Sequence, residues 1–201
     1  VLSQSSTGVP GYMPEDARDL RRLMVAVKAR AERELGLRVT RSAVMGYSLG
    51  AVNVAFIMKQ EREQPLLALE RAVMINPPLH IPHAMATLDR LYEGGHSWSL
   101  EYRNRVWGHV LGVGSALLDR DIRNSSYFLG LDQVLLLSNT QLKYLIGDSF
   151  RQMLADTIFM GQEVNDIGLL KETASPKSRT ARQLEAASIC FPDYMRRTVL
   201  P

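Results

Sequence analysis

The sequence is poor in the features that would place it in a specialised class of protein. A single cysteine, Cys190, stands among 201 residues, so no disulfide can form within the chain. Aromatic residues make up only 7%, and no uninterrupted apolar run approaches the roughly 18 residues that a membrane-spanning helix needs. Hydrophobic residues at 46% and charged residues at 22% are ordinary for globular domains, which excludes disordered and collagen-like chains. We expect a soluble protein with no transmembrane segment, with the cytoplasm preferred and the periplasm left open.

An excess of charge of one sign is also missing from most of the chain. The net charge is +3, and residues 171–201 hold six basic and three acidic side chains, which leaves 18 of each sign in residues 1–170. Nucleic-acid binding usually requires a larger basic excess along one face, interleaved with aromatic residues. We therefore expect a neutral body with a solvated basic tail, and no nucleic-acid partner.

No sequence pattern for a metal ion or a cofactor is present. There is neither a second cysteine nor an H-E-x-x-H sequence, and Pro82 between His80 and His83 disfavours the helical turn that would bring both to one ion. A G-x-x-x-x-G-K-[ST] phosphate loop is missing, and residues 112–114 lack the strand and third glycine of a dinucleotide site. The sequence therefore predicts no bound metal and no cofactor.

Residues 14–35 have the spacing of an amphipathic helix. Pro14 suits its first turn and Gly36 suits its end. The apolar residues that recur at helical intervals predict its buried face: Leu20, Leu23, Met24, Val27, Ala31 and Leu35.

The segment after this helix has the pattern of a βαβ unit. Short apolar runs at residues 41–47 and 71–76 predict buried strands. Residues 49–60 between them predict a helix that ends before Pro65, with one apolar face formed by Leu49, Val52, Phe56 and Ile57. A strand, a helix and a strand in this order predict two parallel strands joined by a right-handed crossover.

From residue 83 to about residue 170 the spacing is helical almost throughout. Residues 134–137 fit either a strand or the approach to a helix that starts at Ser138 or Asn139. A further short helix is predicted around residues 181–188. The sequence therefore predicts an α/β fold class in which an α/β part is followed by a mostly helical part.

The motif that carries chemistry is Gly46-Tyr47-Ser48-Leu49-Gly50, which matches G-x-S-x-G. It lies where a predicted strand gives way to a predicted helix, as a nucleophile elbow requires. A serine on so sharp a turn has strained backbone angles, and small residues at positions 46 and 50 let the strand and the helix pass close together. The turn would raise the Ser48 hydroxyl above the sheet and aim the Leu49 N–H at the same point, as half of an oxyanion hole. The alternative is a tight strand–helix turn whose serine does nothing.

With this motif in place, the chain resembles the α/β-hydrolase family over residues 12–80. The matching order is a helix, a strand, the Gly-Tyr-Ser-Leu-Gly-Ala elbow, a second helix, and a strand that ends in Asn-Pro-Pro at residues 76–78. The motif is specific for that superfamily and carries no information about the substrate.

The resemblance implies a domain organisation. It implies a partial α/β-hydrolase core in residues 1–82, a helical cap in residues 83–190, and a return toward the core in residues 191–201. The family's early strands, its catalytic acid and its histidine would then lie outside this sequence, which we interpret as an internal fragment of a longer protein.

Four histidines are candidates for the catalytic base. His80 and His83 follow the second strand at the carboxyl edge where Ser48 also lies, but the family order places the histidine after a later strand. We interpret both as solvated or lid-facing residues, His96 as part of a joint between cap helices, and His109 as a core histidine bonded to the backbone. Four aspartates within helical patterns are interpreted as surface or capping residues: Asp89, Asp119, Asp132 and Asp148.

Large apolar side chains in the helical part allow two interpretations. Its aromatic residues could line a site for an apolar substrate group or simply fill a core: Trp98, Trp107, Phe128, Phe150 and Phe159. Methionines such as Met153 and Met160 are interpreted as core filler, with the alternative that a minority of them line an apolar pocket.

The sequence thus predicts a serine hydrolase that acts on a small-molecule ester or related acyl substrate. Ser48 would attack the carbonyl, a histidine outside this chain would take its proton, and the Leu49 N–H would help hold the oxyanion. Esterase, thioesterase, acyltransferase and lipase chemistry all stay open, as does the oligomeric state. The alternative is a non-catalytic hydrolase-like scaffold or helical interaction module. By themselves these residues should be almost inactive, and the edges of the two-stranded sheet should be exposed, which makes the isolated chain marginally stable and prone to associate.

Overall fold

The computed structural model describes residues 5–118, 136–172, 175 and 177–199. In chain order its elements are α1 (Met13–Leu35), β1 (Ser42–Tyr47), α2 (Leu49–Glu63), β2 (Leu69–Ile75), α3 (Ile81–Glu93), α4 (Leu100–Leu118), α5 (Asn139–Asn165), α6 (Arg179–Ser188) and α7 (Phe191–Thr198). The protein is mixed α/β with a helical majority, and β1 and β2 form a parallel pair. The predicted parallel βαβ unit is confirmed. Within the described ranges, no helix is long and apolar enough to cross a membrane.

Helix α1 has the bounds that its end signals predict. Pro14 lies in the first turn, where its missing N–H leaves no bond unmade, and Gly36 ends the helix with a φ of 62°. Its buried residues lie in the first half: Met13, Ala17 and Arg21. Three apolar residues of the predicted buried face are instead more than half exposed: Leu23, Val27 and Leu35. The helix itself is confirmed, but much of its apolar face has nothing packed on it within the described residues.

Helix α2 packs against α1 on one side and against both strands on the other. Its buried residues recur at intervals of three and four: Ala51, Val54, Ile57 and Glu61. Of the predicted face, only Ile57 is buried, while Leu49, Val52 and Phe56 are half-buried. The predicted face was wrong because two neighbours, rather than one, decide which side of this helix is covered.

One face of the sheet is covered only in part, at β1, and the other face is open. The register pairs Met45 with Val73 and Tyr47 with Ile75, and paired residues of a parallel ladder share a face. These four side chains are 42–71% exposed, whereas Val44, which points to the opposite face, is 6% exposed. No third strand joins the pair within the described ranges. In these ranges the edges of the sheet carry no further strand, as predicted, whereas the prediction of a fully buried second strand is wrong, since β2 is exposed from Glu70 onward.

The helical part has two hydrophobic clusters. The larger one joins α5, α6, α7 and the loops between them: Leu154, Ile158, Phe159, Leu169, Leu170, Ala186, Ile189, Phe191, Tyr194 and Met195. The smaller one joins α4 and α5: Val106, Tyr144 and Leu145. The segment before α1 contacts this helical part, because Val9 packs on the larger cluster and the Tyr194 hydroxyl donates to the Pro10 carbonyl.

Some aromatic residues of the helical part lie in its hydrophobic clusters, and others lie at the surface. Phe159 is 7% exposed in the larger cluster, and Trp98 and Trp107 pack against the smaller one. Phe150 is 37% exposed, and Phe128 lies outside the described residues. Core packing therefore accounts for three of the aromatic residues that could have lined a substrate site.

Helix α5 begins with a capping box. The Ser138 hydroxyl accepts from the Gln141 N–H at 3.2 Å, and the Gln141 side chain accepts from the Ser138 N–H at 2.7 Å. The helix start predicted at this point is confirmed. Met153 and Met160, interpreted as core filler, are 62% and 46% exposed, so that interpretation is wrong. Met153 precedes the buried Leu154, and Met160 follows the buried Phe159. Both methionines therefore lie beside the buried face of α5.

Asp89, interpreted as a surface or capping residue, does not lie at the surface and is buried at the junction of three helices. Its carboxylate accepts from the Arg151 guanidinium of α5 at 2.7 Å and from the Phe191 N–H at the start of α7 at 3.0 Å. Burial raises the pKa of Asp89 above its ordinary value, and Arg151 only partly offsets this effect. The carboxylate therefore supplies a cap to a helix distant in sequence, which a local pattern does not show.

Asp148 is buried as well, so its interpretation as a surface or capping residue is also wrong. It is 8% exposed and accepts from Trp107 Nε1 at 2.7 Å, which ties α4 to α5. The remaining two aspartates, Asp119 and Asp132, lie outside the described residues.

Candidate active site

Ser48 forms the junction between β1 and α2. Its backbone has a φ of 53° and a ψ of −124°, a conformation that side chains with a Cβ rarely adopt. It is the N-cap residue of α2, yet its hydroxyl makes no capping hydrogen bond. Serine at this position usually accepts from the N–H groups of the first turn. The hydroxyl is therefore not used to hold the helix, and its residue is only half-buried.

Gly46 allows β1 and α2 to approach each other closely. A Cβ at this position would lie 2.3 Å from the Gly50 carbonyl oxygen and 2.7 Å from the Ala51 nitrogen, both backbone atoms. The steric role expected of Gly46 therefore agrees with its surroundings. Gly50 was expected to be small for the same reason, but a Cβ there meets nothing within 4 Å among the described residues. A side chain must therefore be absent at position 46, where the backbone of Gly50 passes close by, whereas a side chain at position 50 would meet no neighbour.

The first turn of α2 presents N–H groups beside the serine. The Ser48 carbonyl accepts from the Ala51 N–H at 2.9 Å, which closes the turn. Leu49 and Gly50 precede the first intrahelical bond, and no acceptor outside the helix bonds to either N–H in the described part of the chain. Both lie at the positive end of the helix dipole, where a developing negative charge is stabilised. Tyr47, the preceding residue, is 68% exposed on the open face of the sheet.

The elbow is bonded to the end of the neighbouring strand. The Ser48 N–H donates to the Ile75 carbonyl at 2.9 Å. This bond places Asn76, the residue after β2, next to the serine. Asn76 is exposed and has a φ of 50°. Sequence reasoning missed Asn76 as a site residue, although the Asn-Pro-Pro that follows the strand was a visible signal.

His80 and His83 are held by the start of α3. His80 is the N-cap residue of this helix, and its Nδ1 accepts from the His83 N–H at 3.1 Å. Both side chains are exposed, in agreement with the interpretation as solvated residues. The expectation that Pro82 disfavours a helix here was wrong, because Pro82 lies in the first turn, where proline is tolerated.

The other two histidines lie in the helical part. His96 is exposed between α3 and α4, where its ring meets Tyr92 edge to face at 5.0 Å. His109 was expected in the core and is exposed instead. Helix α4 buries a narrow stripe around Val106 and Val110, and His109 lies beside that stripe.

The site can present a hydroxyl nucleophile and two N–H donors at one point. Within the ranges described, no three histidine, cysteine, aspartate or glutamate side chains come together as a metal site requires. Comparison with known proteins adds no relative, since no family model, no curated protein and no solved structure matches the chain.

Proposed function

We propose that the chain is the nucleophile-bearing part of a serine hydrolase of the α/β-hydrolase type, with a partial core in residues 1–82 followed by a helical cap. Its substrate is a carboxylic ester or a related acyl compound. The observation that carries the proposal is the backbone of Ser48, with a φ of 53° and a ψ of −124° between a parallel strand and a helix.

The strain at this residue supports a chemical role. A non-glycine residue in a sparsely populated backbone region costs on the order of 1–3 kcal/mol and is found preferentially at functional sites. Glycine at position 48 would relieve that cost, and a capping hydroxyl would offset part of it. The chain has serine there, and its hydroxyl does not cap the helix.

The reaction begins when Ser48 Oγ attacks the substrate carbonyl carbon while a histidine outside these residues takes the hydroxyl proton. Negative charge then forms on the former carbonyl oxygen, where the Leu49 N–H stabilises it. When the tetrahedral intermediate collapses, the bond to the leaving group breaks and the histidine returns the proton to that group. Water then attacks the acyl carbon while the histidine takes its proton, the bond to Ser48 Oγ breaks, Oγ receives the proton back from the histidine, and the carboxylic acid is released.

The competing proposal is a hydrolase-like scaffold without activity. The observation that favours it is the position of the histidines nearest in sequence to the site. His80 and His83 are exposed, and Nδ1 of His80 is already bonded to a backbone N–H. A triad histidine requires that nitrogen to be oriented by an acid.

A fluorophosphonate probe applied to the complete protein that carries this chain tests the proposal. We expect the wild type to be labelled and Ser48→Ala to be unlabelled. Ser97→Ala, at an exposed serine between α3 and α4, is the matched control and should be labelled like the wild type. A folded wild-type protein that takes up no label would refute a serine hydrolase.

The isolated 201-residue chain provides a second arm of that experiment. Because the base and the acid are proposed to lie elsewhere, its ester turnover should be close to background, several powers of ten below that of the complete protein. Turnover at rates typical of esterases that disappears in Ser48→Ala would show that the base lies within these residues.

A further inference from the structure

Asn76 lies beside the serine because of one backbone hydrogen bond. The Ser48 N–H donates to the Ile75 carbonyl at 2.9 Å, which continues the ladder between β1 and β2 by one residue. Neighbouring strands lie about 4.8 Å apart, so residues at the ends of two paired strands can contact the same small molecule. A substrate held at Ser48 is therefore within reach of the residue that follows Ile75.

The backbone of Asn76, like that of Ser48, has a positive φ. Its φ is 50°, against 53° at Ser48. Asparagine tolerates this region better than most residues, but the residue before a proline is normally driven to an extended backbone, and Pro77 follows. Two neighbouring residues at one sheet edge thus hold disfavoured conformations, a combination typical of functional sites.

The side chain of Asn76 is exposed, and within the described residues no hydrogen bond engages it. A carboxamide carries two N–H donors and one acceptor oxygen. Glycine would meet the backbone requirement at lower cost, so the backbone alone does not account for an amide at this position.

From these observations we infer that Asn76 binds the substrate: its carboxamide donates a hydrogen bond to an oxygen of the acyl group held at Ser48. The donor acts from the β2 side of the site, while the Leu49 N–H acts from the α2 side. The inference rests on the proposed function, since it assigns a residue to the same reaction. The hydrogen bond from the Asn76 carboxamide would favour substrates that carry a hydrogen-bond acceptor oxygen next to the scissile bond.

Three variants of the complete protein separate the side chain from the backbone. Asn76→Gly keeps the positive φ and removes the amide, whereas Asn76→Ala removes the amide and adds strain. Asn76→Asp keeps the shape and the tolerance for this φ, but replaces the N–H donors with an acceptor. Each variant is assayed for hydrolysis of p-nitrophenyl butyrate, for fluorophosphonate labelling and for its melting temperature.

We expect Asn76→Gly and Asn76→Asp to keep the wild-type melting temperature and to lose roughly tenfold or more in kcat/KM, as for a lost hydrogen bond to substrate. The matched control is Ala68→Gly, an exposed position at the opposite end of β2 whose φ is 52°. This variant should turn over the ester like the wild type.

The outcomes distinguish this inference from the proposed function. If Asn76→Gly hydrolyses the ester at the wild-type rate and only Asn76→Ala is less stable, Asn76 is a turn residue and the inference is overturned, while labelling at Ser48 keeps the hydrolase proposal intact. A wild-type protein that neither labels nor hydrolyses the ester overturns both.

Discussion

Ser48 and Gly46 act as a pair in shaping the elbow. Ser48 bends the chain sharply with a positive φ, and the bend brings the start of α2 back over the end of β1. Gly46 makes that approach possible, since its Cα faces the Gly50 carbonyl with no room for a Cβ. The position of the hydroxyl therefore depends on a residue that has no side chain of its own.

Gly46→Ala should destabilise the chain by roughly 1–3 kcal/mol, as overpacking does, because the added Cβ meets backbone atoms rather than a side chain that can move. Gly50→Ala is the matched control, with open space at its Cβ and a place within the first turn of α2. It should be neutral or stabilising by up to about 1 kcal/mol. Urea unfolding followed by circular dichroism measures the free energy of unfolding of both variants. Equal values would contradict a steric clash between a Cβ at position 46 and the Gly50 backbone.

At the scale of the elements, a buried ion pair joins α1 to α2. Arg21 Nε donates to Glu61 Oε1 at 2.6 Å, and the two side chains are 10% and 5% exposed. The Glu61 carboxylate also accepts from the N–H groups of Leu66 and Leu67, at 3.2 and 2.9 Å. One carboxylate thus connects a helix, its neighbour and the loop that leads into β2. It thereby anchors the loop that precedes β2 to both helices.

Glu61→Gln tests this connection. Burial alone would raise the pKa of Glu61, but the Arg21 guanidinium and the Leu67 and Leu66 N–H groups outweigh it and hold that pKa below its ordinary value. A depressed pKa in the folded state contributes stability above the unfolded pKa, near 4.3, that is lost as pH falls through the folded pKa. We expect the variant to lose roughly 3–5 kcal/mol at pH 7, with the gap to the wild type narrowing on acidification below about pH 4.

The matched control for that experiment is Glu70→Gln. Its pair with Arg41 has the same chemistry, but the side chains are 46% and 70% exposed, so the loss should be at most about 1 kcal/mol. Urea unfolding at pH 7 and at lower pH measures both variants. A gap between Glu61→Gln and the wild type that stays constant with pH would contradict a depressed pKa at Glu61.

At the scale of the whole molecule, much apolar surface is uncovered. The open face of the sheet carries large exposed side chains: Met45, Tyr47, Val73 and Ile75. Helix α1 adds Leu23, Val27 and Leu35. Parallel sheets are normally covered on both faces, and contiguous apolar surface of this kind marks an interface.

We expect the isolated 201-residue chain to associate with rising concentration. Met45→Lys should reduce that association with little loss of stability, because the side chain is already 71% exposed. Leu111→Lys is the control, a comparably exposed leucine on α4, and should leave association unchanged. Sedimentation velocity over a range of concentrations measures the effect. A wild-type chain that stays monomeric up to about 100 µM would contradict self-association through the open face of the sheet.

The elements follow from local sequence because their signals act over a few residues. Pro14 and Gly36 bound α1, and Ser138 with Gln141 starts α5, since caps and turns depend on neighbouring side chains and φ angles. The position of Ser48 was predictable for the same reason, because the G-x-S-x-G pattern is bracketed by a strand pattern and a helix pattern.

Burial and neighbourhood were decided only by the tertiary structure. Asp89 is buried because α5 and α7 bring it a guanidinium and an N–H from 62 and 102 residues away, and His109 is exposed because α4 has partners along a narrow stripe only. Asn76 lies beside Ser48 through the register of β1 against β2, which a strand pattern leaves undetermined. Local sequence therefore determined the bounds of α1, the start of α5 and the position of the elbow, whereas contacts between elements distant in sequence determined which residues meet.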